Sequence, residues 1–179
     1  MAFAWRSGVD GAFVVEIIIR LAAPADADVI GQLWEQLVAY HHALDPALPP
    51  AAQGGGRRYA RRIFDRINDP LTRVLIAEVK HDDGQIEIAG YLLGVIVDFI
   101  PEMFAQETTG FLADIFVVEA YRRHGVGRKL VAALIDWFKE RGVSAFEWHV
   151  SARNPAGIAF WKAVGGREVM LRMRADLGT

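Results

Sequence analysis

The chain has 179 residues, of which 53% are hydrophobic and 23% charged, a balance typical of a single folded globular domain. Its formal net charge of -2 gives no broad electrostatic basis for binding nucleic acid. It contains no cysteine, which excludes disulfides, thiolate metal sites and a cysteine nucleophile. We therefore expect a cytoplasmic protein.

The chain is predicted to begin with a loose N-terminal extension, residues 1–12, followed by one domain over residues 13–179. The β-branched and apolar residues 14–21 predict a buried strand. This run is too short to cross a membrane, and Glu16 and Arg20 interrupt it as they would not in a secretion signal. No membrane partner is expected.

Two helices are predicted after this strand. Pro24 suits the first turn of a helix whose buried stripe extends to His41. Residues 53–56 are interpreted as a flexible loop. The stripe of the second helix consists of Tyr59, Ile63, Phe64 and Ile67.

The middle of the chain predicts three consecutive strands. Residues 73–80 and 86–99 flank a turn and form an antiparallel hairpin. Residues 101–108 form a loop, and residues 110–118 are so apolar that we expect a strand buried on both faces.

The last part predicts a helix from Val126 to Gly142, a strand at 145–150, a helix at 154–164 and a strand at 167–174. The strand-helix-strand unit favours a parallel pair with a right-handed crossover, whereas the central strands favour antiparallel pairing. The sequence therefore predicts a mixed α/β sheet.

A glycine-bearing loop joins the central strand to the third helix. Gly125 and Gly127 permit unusual backbone geometry, and the amides of the loop and the first helical turn can converge on a diphosphate. The alternative interpretation is a tight turn with surface arginines. The loop lacks the Gly-Lys-Ser/Thr ending of a Walker loop and the first glycine of a dinucleotide fingerprint.

This loop resembles the coenzyme A loop of the GCN5-related N-acetyltransferase (GNAT) superfamily, with its pattern Arg/Gln-x-x-Gly-x-Gly/Ala. Arg122, Gly125 and Gly127 match the defined positions. Residues 113–118 look like the fourth strand of that family. A second motif, Asn-x-x-Ala-x-x-Phe-Tyr-x-x-x-Gly, is matched at its defined positions except two, with glycine at the usual Ala and tryptophan at the usual Tyr; the matching residues are Asn154, Phe160 and Gly165.

The resemblance implies a mixed sheet of six to seven strands flanked by about four helices and splayed between the fourth and fifth strands. It implies acetyl-CoA as co-substrate and no metal. The cofactor-binding residues that it implies are Phe116, Val117, Val118, Arg122, Arg123, His124, Gly125, Val126, Gly127, Arg128, Asn154 and Phe160.

Acetyl transfer to an amine needs a base to remove a proton and a donor to stabilise oxyanion charge. The candidate bases are Asp114, Glu147 and His149, and each has an ordinary structural or surface interpretation as well. Asp114 resembles the acidic residue on the fourth strand of polyamine-type and thialysine-type acetyltransferases, although one acid of their Glu-Asp pair is missing. The candidate oxyanion donor is the amide of Val118 or a neighbouring one.

One departure from the family pattern concerns the acid. The tyrosine of the usual Phe-Tyr pair is replaced by Trp161, whose indole has no proton to give at a usable pKa. Tyr121, Ser151 or water are the alternatives. A non-catalytic module that binds or senses acyl-CoA is the alternative function, and a nucleotide phosphate binder is a third hypothesis.

The acceptor is predicted to be a small-molecule amine. The resemblance implies that the first helix lines its pocket, which makes Trp34, Tyr40 and His41 acceptor-site candidates. The arginines of the second helix could attract an acidic acceptor or form a solvated face. A homodimer is expected by analogy with the superfamily.

Overall fold

The protein is described from a computed structural model, which places residues 16–97, 108–175 and 177. The predicted N-terminal extension and most of the predicted loop at 101–108 lie outside these residues, as do the first residues of the predicted strand at 14–21. The chain divides between His149 and Val150 into two compact units.

The first unit contains a five-stranded sheet with its strands in sequence order. They are β1 (Glu16–Leu21), β2 (Thr72–Lys80), β3 (Ile86–Val97), β4 (Thr109–Val117) and β5 (Phe146–Trp148). Neighbouring strands from β1 to β4 are antiparallel, whereas β4 and β5 are parallel. The predicted mixed α/β sheet is therefore confirmed.

Helices cover both faces of this sheet. They are α1 (Ala27–Leu44), α2 (Gly55–Arg66) and α3 (Val126–Glu140), and the second unit contains α4 (Pro155–Ala163). The main core forms where α1 and α2 pack on Val74, Ile76, Tyr91 and Phe116. On the opposite face α3 comes so close that a Cβ on Gly94 would lie 2.3 Å from the Leu134 side chain.

Two predicted elements are wrong. Residues 167–174 were expected to form the last strand, but they form no strand, and Met170, Leu171 and Met173 are exposed. A strand exists through hydrogen bonds to a neighbour, which an apolar run alone does not supply. The sheet therefore has five strands among the described residues, rather than the six to seven expected.

The flexible loop predicted at 53–56 is partly helical, since α2 already begins at Gly55. Its glycines allow helices α1 and α2 to approach each other closely. A Cβ on Gly56 would lie 2.6 Å from the Glu35 carboxylate, which instead accepts a hydrogen bond from the Gly56 amide at 2.8 Å. These glycines serve helix packing, which local composition does not distinguish from a loop.

A β-bulge in β4 decides which face Asp114 occupies. The register places Leu93 opposite Asp114 and Gly94 opposite Leu112, so Ala113 has no partner on β3. Leu93 belongs to the α1–α2 core, whereas Gly94 faces α3. Because a bulge inserts one residue, Asp114 points to the α1–α2 side, although strict alternation from Leu112 would aim it at α3.

Helix α1 is held at its start by an ion-pair network. The Arg20 guanidinium donates to both oxygens of Asp26, at 2.6 and 2.9 Å, and to Glu78 at 2.6 Å. Arg20 and the Ala23 amide hold the pKa of the Asp26 carboxyl below its ordinary value. The network joins β1, β2 and the turn that leads into α1, so it fixes the orientation of that helix.

Candidate functional site

The loop that precedes α3 presents a run of backbone amides. Arg123 and Gly125 have positive φ angles, 67° and 85°, and the loop reaches α3 at Val126. In the part of the chain that the structure describes, the amides of residues 123–128 donate no hydrogen bond. Free amides at a helix N-terminus attract anions because the helix dipole adds to their partial charges.

The glycine at 125 is required by its backbone angle. No atom lies within 4 Å of the position where a Cβ would be, yet φ is +85°, which other residues rarely adopt. The side of the loop facing this position is therefore open, and a ligand can approach the backbone there.

Strand β4 has an open edge beyond its short pairing with β5. The β4–β5 ladder covers only the pairs from Gly110 with Phe146 to Leu112 with Trp148. Among the described residues the rest of β4 pairs only with β3, as a splay between the two strands requires. The Val118 amide donates to the Ala89 carbonyl at 2.8 Å, on the β3 side. Because alternate residues of a strand direct their amides to opposite edges, the Val117 amide lies on the open edge.

Arg122 connects the loop to both β4 and α1. Its Nε donates to the Val117 carbonyl at 3.1 Å, and its guanidinium lies 4.8 Å from the Tyr40 ring centre and 5.7 Å from that of Phe116. Its planar side chain is therefore packed between protein groups. His124 contacts the loop itself, with Nδ1 2.8 Å from the Arg122 carbonyl.

A second group of side chains, which we call the polar cluster, lies between α1, α2, β3 and β4. Its members are Trp34, His41, Tyr59, Tyr91 and Asp114. The Tyr59 hydroxyl donates to Asp114 Oδ2 at 2.5 Å, and the Tyr59 ring stacks on Trp34 with centres 5.0 Å apart. The ring of Tyr91 meets that of Tyr59 edge-on at 6.4 Å.

The charges of the polar cluster act on Asp114 in both directions. Burial raises the pKa of the Asp114 carboxyl above its ordinary value, whereas the Tyr59 hydrogen bond, His41 when its imidazole is protonated, and the charge of Arg62 oppose that rise. Burial likewise lowers the pKa of the His41 imidazole. A half-buried carboxylate with a raised pKa is a stronger base than an exposed one, which suits it to accepting a proton.

The other two predicted bases lie elsewhere on the same unit. Glu147 and His149 are exposed to solvent, and the His149 ring packs edge-on against Phe111 at 5.4 Å. Neither has a hydrogen bond or an ion pair to Asp114. Of the three candidates, Asp114 alone is partly buried and hydrogen-bonded to another side chain of the polar cluster.

The acceptor-site candidates on α1 divide between these two groups. Trp34 and His41 belong to the polar cluster, whereas Tyr40 contacts Arg122 of the loop. The arginines at 57, 58, 61 and 62 of α2 are exposed, as a solvated face would be. Arg62 is close enough to oppose the rise in the pKa of Asp114.

In the second unit Asn154 caps α4. Its Oδ1 accepts the Gly157 amide at 2.9 Å, and the residue is buried. A Cβ on Gly157 would lie 2.6 Å from Asn154 Nδ2, which gives a reason for glycine where the family pattern has alanine. Phe160 packs edge-on against the buried Trp161 at 4.9 Å.

The hydroxyls considered as replacements for the missing tyrosine already have partners. The Tyr121 hydroxyl donates to Glu87 and lies 3.2 Å from His81 Nε2. The contact with Glu87 raises the pKa of Tyr121 to about 12. Ser151 Oγ accepts the Arg153 amide at 3.2 Å, which leaves its own proton available.

Tyr59 and Tyr91 were missed as site residues. Tyr59 was identified only as a member of the buried stripe of α2, and no motif surrounds it. Within that stripe Phe64 is in fact 55% exposed, whereas Ile63 is 1% exposed. The only available signal was a hydroxyl in an apolar stripe, which needs a partner once buried.

No helix among the described residues is long and apolar enough to cross a membrane. In the same residues no group of three His, Asp or Glu side chains is placed to hold a metal ion.

Both motifs lie within a match to a known protein family. The model of the Acetyltransferase (GNAT) family matches residues 37–165. The ribosomal protein bS18-alanine N-acetyltransferase of Escherichia coli strain K12 is 37% identical over 73 residues, 41% of this chain and 48% of that protein. The L-2,4-diaminobutyric acid acetyltransferase of Nocardia farcinica is 33% identical over 82 residues, 45% of this chain and 41% of that protein.

The chain thus spans less than half the length of these curated relatives. Among solved structures, a mutant of the BH1408 protein from Bacillus halodurans is similar with a TM-score of 0.76. Its sequence identity is 24%, over 89% of this chain and 99% of that one, so the likeness concerns the fold alone.

Proposed function

Since the chain belongs to the acetyltransferase (GNAT) family, we propose that it transfers an acetyl group from acetyl-CoA to a primary amine, by direct attack in a ternary complex. The observation that carries this proposal is the run of unpartnered amides at residues 123–128, at the N-terminus of α3. A diphosphate fits this run because its oxygens need donors and its charge matches the helix dipole.

Further cofactor contacts are proposed in each of the two units. Phe116, Val117 and Val118 would lie along the pantetheine arm, with the Val117 backbone on the open edge of β4 in the manner of an added strand. Arg122, Arg128 and Lys129 add positive charge near the loop. In the second unit, Asn154 retains Nδ2 as a donor after its Oδ1 has capped α4, and Phe160 offers an apolar surface.

Bound acetyl-CoA would supply an activated thioester carbonyl. Oxyanion charge on that carbonyl needs a donor, and the Val118 amide is already bonded to Ala89. The neighbouring Val117 amide is therefore our candidate for this role.

Asp114 is proposed as the general base. An alkylammonium has to lose a proton before its nitrogen can attack, and the raised pKa of Asp114 suits that transfer. Glu147 and His149 are retained as alternatives with less support, since both are exposed. No step in this reaction calls for a metal ion.

The proposed acceptor is a small-molecule amine that enters beside Trp34 and His41. The substrates named for the two relatives are an alanine of a ribosomal protein and a diamino acid, so both classes belong in the test. A polyamine or thialysine acceptor is retained from the resemblance on β4.

For the leaving thiol we propose that water or Ser151 supplies the proton. A Tyr121 phenol with a pKa of about 12 is a poor acid for a thiolate. Trp161 also favours the alternative function, a non-catalytic module that binds acyl-CoA. Free thiol release distinguishes the two functions.

The test mixes the protein with acetyl-CoA and one amine at a time: 2,4-diaminobutyrate, ornithine, spermidine, thialysine and a peptide with N-terminal alanine. Thiol release above the rate without amine supports the proposed transfer. Micromolar coenzyme A affinity without thiol release on any amine would support the binding module instead. Tighter binding of ATP than of coenzyme A would overturn the cofactor assignment.

The cytoplasmic location and the homodimer stay predictions. Light scattering at micromolar concentration would give the mass of the assembly, for which one chain contributes 19.9 kDa.

A further inference from the structure

Tyr59 occupies the centre of the polar cluster without any role in the reaction described so far. It touches a different element on each side: Trp34 of α1 by stacking, Tyr91 of β3 edge-on, and Asp114 of β4 through its hydroxyl. One stacked and one edge-on ring contact restrict the orientation of the phenol. The hydroxyl is therefore directed to one place, the Asp114 carboxylate.

The hydrogen bond leaves the two Asp114 oxygens unequal. Oδ2 accepts the Tyr59 proton at 2.5 Å, whereas Oδ1 has no hydrogen bond among the described residues. A carboxylate held by one oxygen cannot rotate freely, so its second oxygen keeps one direction. That free oxygen is the one that can meet an acceptor amine.

The surrounding charges do not replace Tyr59 in this role. From α1, His41 acts on Asp114 as a charge only when protonated, and from α2, Arg62 acts as a permanent charge, but neither donates a hydrogen bond to the carboxylate. From β3, the Tyr91 hydroxyl is fully buried and finds no partner of regular geometry in the described part of the chain. Tyr59 is thus the single donor to Asp114 within those residues.

We propose that Tyr59 is a positioning residue for acetyl transfer, which fixes Asp114 through Oδ2 so that Oδ1 receives the proton of the acceptor ammonium. This inference rests on the proposed function. In the step, the N–H bond of the ammonium breaks and its electron pair stays on nitrogen, the proton moves to Oδ1, and Tyr59 keeps its own proton. The nitrogen pair then attacks the thioester carbonyl.

The role has a signature in pH dependence. A hydroxyl that donates to the ionised carboxylate lowers the pKa of that carboxyl, against the effect of burial. Removing the hydroxyl therefore raises the pKa of Asp114. The acidic limb of the profile of kcat/KM against pH then moves to higher pH, because Asp114 acts only when ionised.

The test compares Tyr59→Phe with the wild type. Phenylalanine keeps the ring contacts with Trp34 and Tyr91 and removes only the hydroxyl. We expect kcat/KM at neutral pH to fall roughly tenfold, the size of a hydrogen bond to a charged group. We also expect the acidic limb to move to higher pH, with acetyl-CoA affinity within about twofold of the wild type, since the cluster is not part of the amide run.

Tyr91→Phe is the matched control, since it removes a second buried hydroxyl of the cluster that does not donate to Asp114. The acidic limb of its profile of kcat/KM against pH is expected to move less than that of Tyr59→Phe. Equal shifts in the two variants would show that general polarity sets the pKa, and the positioning role would be wrong.

A direct titration separates this proposal from the proposed function. The Asp114 carboxyl carbon is assigned in the NMR spectrum by its loss in Asp114→Asn, and its pKa is measured without substrate. A wild type that acetylates no amine would refute the transferase, while a raised pKa in Tyr59→Phe would still support the contact. If the wild type is active but Tyr59→Phe leaves both the acidic limb of the kcat/KM profile and the pKa of Asp114 unchanged, the positioning role is wrong.

Discussion

The loop before α3 and the polar cluster differ in the chemical groups that they present. The loop offers backbone amides from one short segment, residues 123–128, and its geometry depends on positive φ angles at Arg123 and Gly125. The polar cluster consists of side chains from four elements that lie far apart in sequence, with Tyr59 and Asp114 55 residues apart. A backbone site tolerates many side chains, whereas a side-chain site depends on each member.

This difference predicts how the two regions respond to mutation. Substitutions in the loop should act on cofactor affinity and spare the pH profile. Substitutions in the polar cluster should act on turnover and spare cofactor affinity. A loop variant that changes the pH profile, or a polar-cluster variant that changes cofactor affinity, would weaken the assignment of both regions.

The largest effect is expected for Asp114→Asn. The amide keeps an oxygen for the Tyr59 hydroxyl but cannot accept a proton, so we expect turnover to fall by about 100- to 10,000-fold, the usual contribution of a general base. Acetyl-CoA affinity, measured by calorimetry, should stay unchanged. A larger loss of turnover in His149→Gln or Glu147→Gln would indicate that the general base lies on or beside β5.

The next largest effect is expected for Gly125→Glu. A side chain at φ +85° strains the loop, and its negative charge repels the diphosphate. We expect coenzyme A affinity to fall by at least about 100-fold, or ~2.7 kcal/mol.

Gly142→Glu is the matched control for this change. Gly142 follows the C-terminal end of α3, has φ +73°, and also has no atom within 4 Å of a Cβ position. It therefore adds the same strain and charge at the opposite end of the helix. Similar affinity losses in the two variants would contradict the assignment of the loop.

Two carboxyls should differ in how they affect stability with pH. The pKa of Asp114 is raised by burial, so its ionised form destabilises the folded state, and the penalty disappears as pH falls through the raised pKa. Asp114→Asn should therefore raise the free energy of unfolding at pH 7, and raise it by less at lower pH.

Asp26 should behave in the opposite way. The hydrogen bond from Arg20 lowers its pKa, so the stability that it contributes is present above the unfolded pKa and is lost as pH falls through the folded one. Asp26→Asn should lower the free energy of unfolding at pH 7. Urea unfolding at several pH values measures both changes, and equal signs would refute the distinction between a functional and a structural carboxylate.

The smallest effect is expected for Arg122→Lys, which keeps the charge and loses the planar contacts with Tyr40 and Phe116. We expect coenzyme A affinity to fall roughly fivefold, as for one stacked cation contact. Arg141→Lys is the control, because Arg141 also lies over an aromatic ring, Trp137, and donates to the Pro70 carbonyl. Unchanged affinity in Arg122→Lys would show that charge alone matters at this position.

The loop was predictable from sequence because its signal is local. Arg122, Gly125 and Gly127 stand within six positions, and glycine identity reports a backbone angle directly. The central strands and α3 were predictable for a similar reason, since their apolar periodicity is continuous along the chain.

The polar cluster was not predictable because its geometry depends on a bulge. Residues 110–118 are so apolar that neither face was distinguished, and the extra residue Ala113 turns Asp114 toward α2. Tyr59 then becomes a partner through tertiary packing alone. The expected last strand at 167–174 failed because its apolar residues carry no information about a pairing partner.

The contacts of Arg122 suggest a physical reason for the first position of the family pattern. Its Nε donates to the Val117 carbonyl while the flat guanidinium lies over the Tyr40 ring and near that of Phe116. The pattern Arg/Gln joins the two long side chains that end in a planar group with N–H donors, and only one of them is charged. A planar end with a directed N–H donor therefore suits this position, and glutamine should keep the hydrogen bond to the Val117 carbonyl better than lysine.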